Sequence, residues 1–197
     1  MKLNILIATK NEGKVEEFKN ILSCHEVNVL SLLDLESSPE IIEDGITFEE
    51  NALKKSKTIF EFTGQPAIAD DSGLEIDVLE GKPGVNSARF AGYSTPYDMK
   101  NGKILSMMKD VPGDKRNARF KCVIAYSDNN AANTFEGVCE GKIAYEQKGT
   151  YGFGYDPIFI PDGYDKTFGE LGEEVKNRIS HRANALNKFY KWFASKK

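Results

Sequence analysis

Cysteine is scarce. The chain has three in 197 residues, Cys24, Cys122 and Cys139, and no two stand in a CxxC pair. An odd count without that spacing makes neither a disulfide framework nor a zinc site, so thiols buried in a reducing compartment are expected. No apolar run approaches the roughly 20 residues that a membrane helix needs. The opening apolar stretch, residues 3–8, is interrupted at Asn4 and stops at Thr9 and Lys10. It is too short for a signal-peptide core, and a soluble cytoplasmic protein is expected. Positive charge is not in excess: 26 Lys and Arg stand against 30 Asp and Glu, a net charge of −4. This argues against a broad basic face that coats nucleic acid, but it allows a few cations gathered around a small anion. Internal repeats, low-complexity tracts and Ser/Gly/Pro-rich linkers are also missing. The reading is one domain over residues 1–197, with at most two closely packed lobes. With 40% hydrophobic and 28% charged residues, the composition is globular.

Periodicity places the elements. Residues 3–8 read as a buried strand. Val15, Phe18, Ile21 and Leu22 follow at helical spacing, with Asn11 as a possible N-cap. Residues 26–33 read as a second strand. Thr47 and Glu50 form a capping box, after which Ala52, Ile59 and Phe60 give one apolar side. Residues 66–69 form a short strand that ends at Asp70-Asp71-Ser72-Gly73, and residues 74–78 alternate as a half-exposed strand. A helix is expected over 96–108. Strands are expected over 118–126, 134–138, 142–146 and 157–160. Leu186, Phe189, Tyr190 and Phe193 mark a final amphipathic helix starting at Ser180. Strands that alternate with helices, then cluster, then yield to a helix indicate an α/β protein with a mixed sheet.

Several charges are poorly placed for stability. Lys14 falls in the first turn of a helix capped by Asn11, where the helix dipole disfavours a cation unless an anion docks there. His181 and Arg182 repeat the pattern after Ser180. Each has a plain alternative, a solvated lysine or a neutral surface histidine. The Lys14 loop is not a Walker A motif, because Val15 stands where Ser or Thr is needed. Asp70-Asp71-Ser72-Gly73 pairs two carboxylates. Side chains alternate along a strand, so one of the two is expected to face a ligand. A carboxylate there can hold Mg²⁺ and accept a proton from water, although the tetrapeptide also suits a turn. Glu40, Glu43 and Asp44 form an acidic stretch upstream that can complete a metal site. Gly152-Phe153-Gly154-Tyr155-Asp156-Pro157 combines a close backbone approach with rings that can stack on a base. It lacks the third glycine and following helix of a dinucleotide fingerprint.

In this order the segments resemble one family, the inosine triphosphate pyrophosphatases. The matching blocks are Ala8-Thr9-Lys10-Asn11-Glu12-Gly13-Lys14, Thr47-Phe48-Glu49-Glu50-Asn51-Ala52, Ala69-Asp70-Asp71-Ser72-Gly73-Leu74, Pro83-Gly84 with Ser87-Ala88-Arg89-Phe90, Gly152-Phe153-Gly154-Tyr155-Asp156-Pro157-Ile158-Phe159, and Lys176 with Ser180-His181-Arg182. The resemblance implies a homodimer with an elongated mixed sheet and two lobes flanking a nucleotide cleft. It implies Mg²⁺-dependent hydrolysis of ITP, dITP and XTP to the monophosphate and pyrophosphate. It makes Thr9, Asn11 and Lys14 phosphate-binding, with Lys10 nearby and Lys14 also catalytic. Asp71 becomes the catalytic carboxylate and metal ligand, and Ser72 and Lys176 contact substrate. Phe153, Gly154, Tyr155 and Asp156 form part of the nucleoside pocket, and His181 and Arg182 recognise the base. Glu43 is preferred over Glu40 as the second metal ligand. No nucleic-acid or membrane partner is implied. A pyrophosphatase for modified pyrimidine nucleotides and a nucleotide-binding regulatory module are the competing readings.

Overall fold

A computed structural model of the chain describes residues 3–23 and 27–196. Met1, Lys2, Cys24 and Glu26, used in the sequence reading, lie outside them. The elements run β1 (Leu3–Ile7), α1 (Glu12–Leu22), β2 (Val27–Ser31), α2 (Phe48–Thr63), β3 (Ala67–Ile76), β4 (Lys82–Pro83), α3 (Tyr97–Met107), β5 (Asn117–Ser127), β6 (Ala132–Ile143), β7 (Phe159–Pro161), α4 (Phe168–Ile179) and α5 (His181–Ala194). The strand order is β2-β1-β3-β5-β6-β7, with β4 paired to β3. β1 runs parallel to β2 and to β3, whereas β3/β4 and β6/β7 are antiparallel. The expected α/β class with a mixed sheet is therefore present.

The chain gathers into two compact units. The first comprises Met1–Asp71, Cys122–Gly137 and Arg182–Lys197; the second comprises Ser72–Lys121 and Val138–His181. In the first unit the strands are buried on both faces. Ile5, Ile7 and Ile68 pack with Phe18 and Leu22 of α1 and with Leu186 and Phe189 of α5. Leu6, Ala8, Ala67 and Ala69 pack on the other face with Ile59 of α2. This is the two-sided burial expected of parallel strands. The second unit closes over Leu74, Ile76, Ile104, Phe120, Phe159 and Phe168.

Three expectations need correction. Residues 66–69 and 74–78 are not two strands separated by a turn. One strand of 10 residues, β3, spans the expected break with Asp70 and Asp71 in its interior, and it ends at Ile76, so that Asp77 and Val78 fall in a 3-10 turn. Residues 134–138 and 142–146 are likewise not two strands: β6 is continuous and ends at Ile143. The expected strand over 157–160 is a short 3-10 turn, Asp156–Ile158, followed by β7. In addition, α4 escaped the periodicity reading. Gly172 stands inside it with non-helical φ 79° and ψ 174°, which breaks the 3.6-residue pattern. Cys122 and Cys139 are buried free thiols, and burial raises both.

Candidate active site

Strand alternation decides where the paired aspartates go. Ile68 faces α1 and α5, so Asp70, two residues on, shares that face. Ala67 and Ala69 face α2, and Asp71 shares theirs.

On the α1/α5 face Asp70 is 1% exposed. Its Oδ2 accepts from Arg182 Nη2 at 2.7 Å and Nε at 3.3 Å, and lies 3.0 Å from Lys14 Nζ. Glu17 of α1 accepts from Arg182 Nη1. Burial alone would raise the Asp70 carboxyl. The charges of Lys14, Arg182 and Lys55 overcome it and hold the group well below the usual carboxylate range. Burial would likewise lower Arg182, but Asp70 and Glu17 keep it firmly charged. The cations that stood at the wrong ends of two helices are thus balanced by carboxylates of the chain itself. Asn11 caps α1 as expected, its Oδ1 accepting from Lys14 N at 3.0 Å. Thr9 Oγ1 accepts from Asn11 N at 3.2 Å, and Lys10 is exposed.

On the α2 face Asn51 Nδ2 donates to Asp71 Oδ2 at 3.0 Å. One turn further along α2, Lys55 Nζ lies 3.5 Å from Asp71 Oδ1 and 2.8 Å from Glu43 Oε2. Burial raises the Asp71 carboxyl, against the opposing charges of Lys55 and Lys14. Glu43 therefore shares a cation with Asp71; Glu40 and Glu43 are both exposed. Among the described residues no three His, Cys, Asp or Glu side chains cluster as a metal-binding group. Two carboxylates leaning on one cation still suit Mg²⁺, a hard ion that takes one or two carboxylates and fills its remaining positions with water and substrate phosphate.

In the second unit the glycine-rich turn is held from within. Asp156 Oδ2 accepts from Phe153 N at 2.8 Å and from Lys176 Nζ at 2.5 Å. The same ammonium lies 4.4 Å from the Phe153 ring centroid. A Cβ on Gly152, whose φ is +73°, would meet Asp156 Oδ2 at 2.1 Å. Asn101 of α3 donates to Gly154 O at 3.2 Å. Tyr155 does not present its ring for stacking: it is buried in the core, with its hydroxyl donating to Ser87 O at 2.7 Å. Phe153 is half-buried. His181 stacks on Phe120 with centroids 4.7 Å apart, and Ser72 is half-buried.

The sequence matches the Ham1 family over residues 5–192. The chain belongs to the Ham1 family. It is 50% identical over 190 residues to the dITP/XTP pyrophosphatase of Oceanobacillus iheyensis, covering 95% of this chain and 96% of that one. It is 49% identical over 187 residues to the dITP/XTP pyrophosphatase of Bacillus subtilis, covering 94% of each. Among solved structures, the Ham1 protein of Staphylococcus aureus superposes with a TM-score of 0.87 at 38% identity, covering 98% of this chain and all of that one. A HAM1 protein from Coxiella burnetii gives 0.88 at 39%, covering 98% and 99%. The resemblance read from the six ordered blocks is to this family.

Sequence reasoning about the Ham1 site overlooked Glu17, Asn51 and Lys55, and gave Asp70 no role. Lys55 carried a signal. It stands three residues after Ala52 and four before Ile59, on the apolar side of α2, where a charge needs a partner.

Proposed function

We propose that this chain hydrolyses ITP, dITP and XTP to the monophosphate and pyrophosphate with Mg²⁺. We read it as one cytoplasmic domain, residues 1–197, that works as a homodimer. Two things support the substrate class: the names of relatives matched along nearly the whole chain and the residues in hand. Among the described residues no helix is long and apolar enough to cross a membrane.

One observation carries the reading. Asp71 is a buried carboxylate braced by Asn51, set beside Lys55 and Glu43, and raised by that burial. A raised carboxyl is a better proton acceptor near neutral pH than an ordinary one. In the proposed step water attacks the α-phosphorus, the bond from that phosphorus to the bridging oxygen breaks, and pyrophosphate leaves. Asp71 takes the proton of the attacking water. Glu43 and Asp71 would hold Mg²⁺, which supplies electrostatic stabilisation for charge developing on the leaving group. Lys14, the first turn of α1, Thr9, Asn11 and Lys10 face the phosphates.

Ser72, Lys176 and the turn from Phe153 through Asp156 serve the nucleoside, and His181 and Arg182 read the base. Arg182 is oriented by Asp70 and Glu17, and its fork of N–H groups is the donor set proposed for a 6-oxo group. A 6-amino group offers such donors no acceptor, which disfavours ATP.

The test is a panel of triphosphates with Mg²⁺, assayed separately for pyrophosphate and orthophosphate. Pyrophosphate from ITP, dITP and XTP, with little from ATP, is expected. Orthophosphate alone would contradict the reading. In the same assay Asp71→Asn lowers kcat by roughly 10²–10⁴-fold with the far-UV spectrum retained; near wild-type turnover would overturn the role given to Asp71.

A further inference from the structure

Lys55 lies where a cation is wanted. It is 6% exposed and projects from the buried side of α2. Its ammonium is 2.8 Å from Glu43 Oε2 and 3.5 Å from Asp71 Oδ1. Asn51, one turn earlier, fixes the other oxygen of Asp71. The two carboxylates assigned above to the metal therefore converge on one side chain of the protein. Without a cation between them they would repel each other, and Asp71 is buried. The Lys55 ammonium thus occupies the place between the two carboxylates that a metal would need.

We propose that Lys55 is the built-in counter-ion of the Glu43–Asp71 pair and competes with the divalent cation for those carboxylates. The proposal deepens the reading given above and rests on its metal assignment. Its consequence is a protein that binds metal weakly on its own. A nucleotide that arrives with its own metal offers phosphate oxygens to the displaced ammonium, so metal and nucleotide bind cooperatively. The coupling is reciprocal, as any linkage of two binding events must be. Lys55 here is a positioning residue for the metal ligands, and loss of activity alone does not test it.

The experiment measures Mn²⁺ binding to the metal-free, full-length protein without nucleotide, by electron paramagnetic resonance of the free ion. Lys55→Met keeps the bulk of the side chain and removes the charge. It is expected to bind Mn²⁺ about tenfold more tightly than the wild type, within the usual range of coupling between sites. Glu43→Gln and Asp71→Asn are each expected to bind it more weakly than the wild type. If neither carboxylate variant weakens binding, the metal assignment falls and this proposal with it. If both weaken it while Lys55→Met binds no more tightly than the wild type, the metal assignment stands and Lys55 is no competitor. A second measurement needs no variant. Titration of ¹⁵N-lysine-labelled wild-type protein with Mg²⁺ should shift the Lys55 ammonium resonance as the ion displaces it, and an unmoved resonance at saturation would overturn the proposal.

Discussion

Asp70 and Asp71 are neighbours in sequence, yet the pleat of β3 sends them to different faces and so to different chemistry. Asp70 meets Lys14 and Arg182 and is depressed; Asp71 meets Asn51 and Lys55 and is raised. The two titrate stability in opposite senses. A carboxyl depressed in the fold contributes stability that is full above its unfolded value of about 3.9 and drains as the pH falls toward the folded value. A raised carboxyl costs stability as the pH climbs from about 3.9 through its folded value. In Asp70→Asn the loss of unfolding free energy on acidification below about pH 4 should therefore be shallower than in the wild type. Urea titrations across that range measure it, and an unchanged slope would contradict the role given to Asp70. Arg182→Ala leaves Asp70 and Glu17 without their main partner, and breaking such a buried pair costs about 3–5 kcal/mol. At this scale the sequence showed which residue types mattered: Lys14, Asp71 and Arg182 were all legible as charges in costly places. Their partners were not, because Glu17 and Asp70 are 53 residues apart along the chain and are joined through Arg182 in the fold.

Local signals held where the chain satisfies itself. The Thr47/Glu50 box forms in both directions and starts α2, and Asn11 caps α1. They failed where distant groups intervene. A pair of adjacent aspartates has poor strand propensity, and the sequence reading ended a strand there. The strand continues there with Lys14 and Arg182 pairing Asp70, and Asn51 and Lys55 meeting Asp71, from α1, α5 and α2. α4 was missed because Gly172 interrupts its period. The turn before β7 was legible as unusual but not as self-bound, since Asp156, Phe153 and Lys176 are brought together only in the fold. Its design makes a sharp demand on Gly152. Gly152→Ala places a methyl against the Asp156 carboxylate in a backbone conformation that L side chains resist. The expected outcome is a KM for ITP raised about tenfold, corresponding to about 1.4 kcal/mol, with a smaller change in kcat. Steady-state kinetics decide it, and an unaltered KM would show that the turn does not serve the nucleoside.

Across the whole molecule a net charge of −4 coexists with a first unit that draws Lys14, Lys55 and Arg182 among Asp70, Asp71, Glu17 and Glu43. These cations are already paired with carboxylates of the chain. Composition hides such a cluster, whereas the order of motifs along 197 residues disclosed the family. The central claim is that water attacks the innermost phosphorus of a deaminated purine nucleotide. Turnover of dITP in ¹⁸O-enriched water, followed by mass spectrometry of both products, tests it most directly. The expected result is one heavy oxygen in the nucleoside monophosphate and none in the pyrophosphate. Label in the pyrophosphate, with an unlabelled monophosphate, would place the attack at the next phosphorus and contradict the claim.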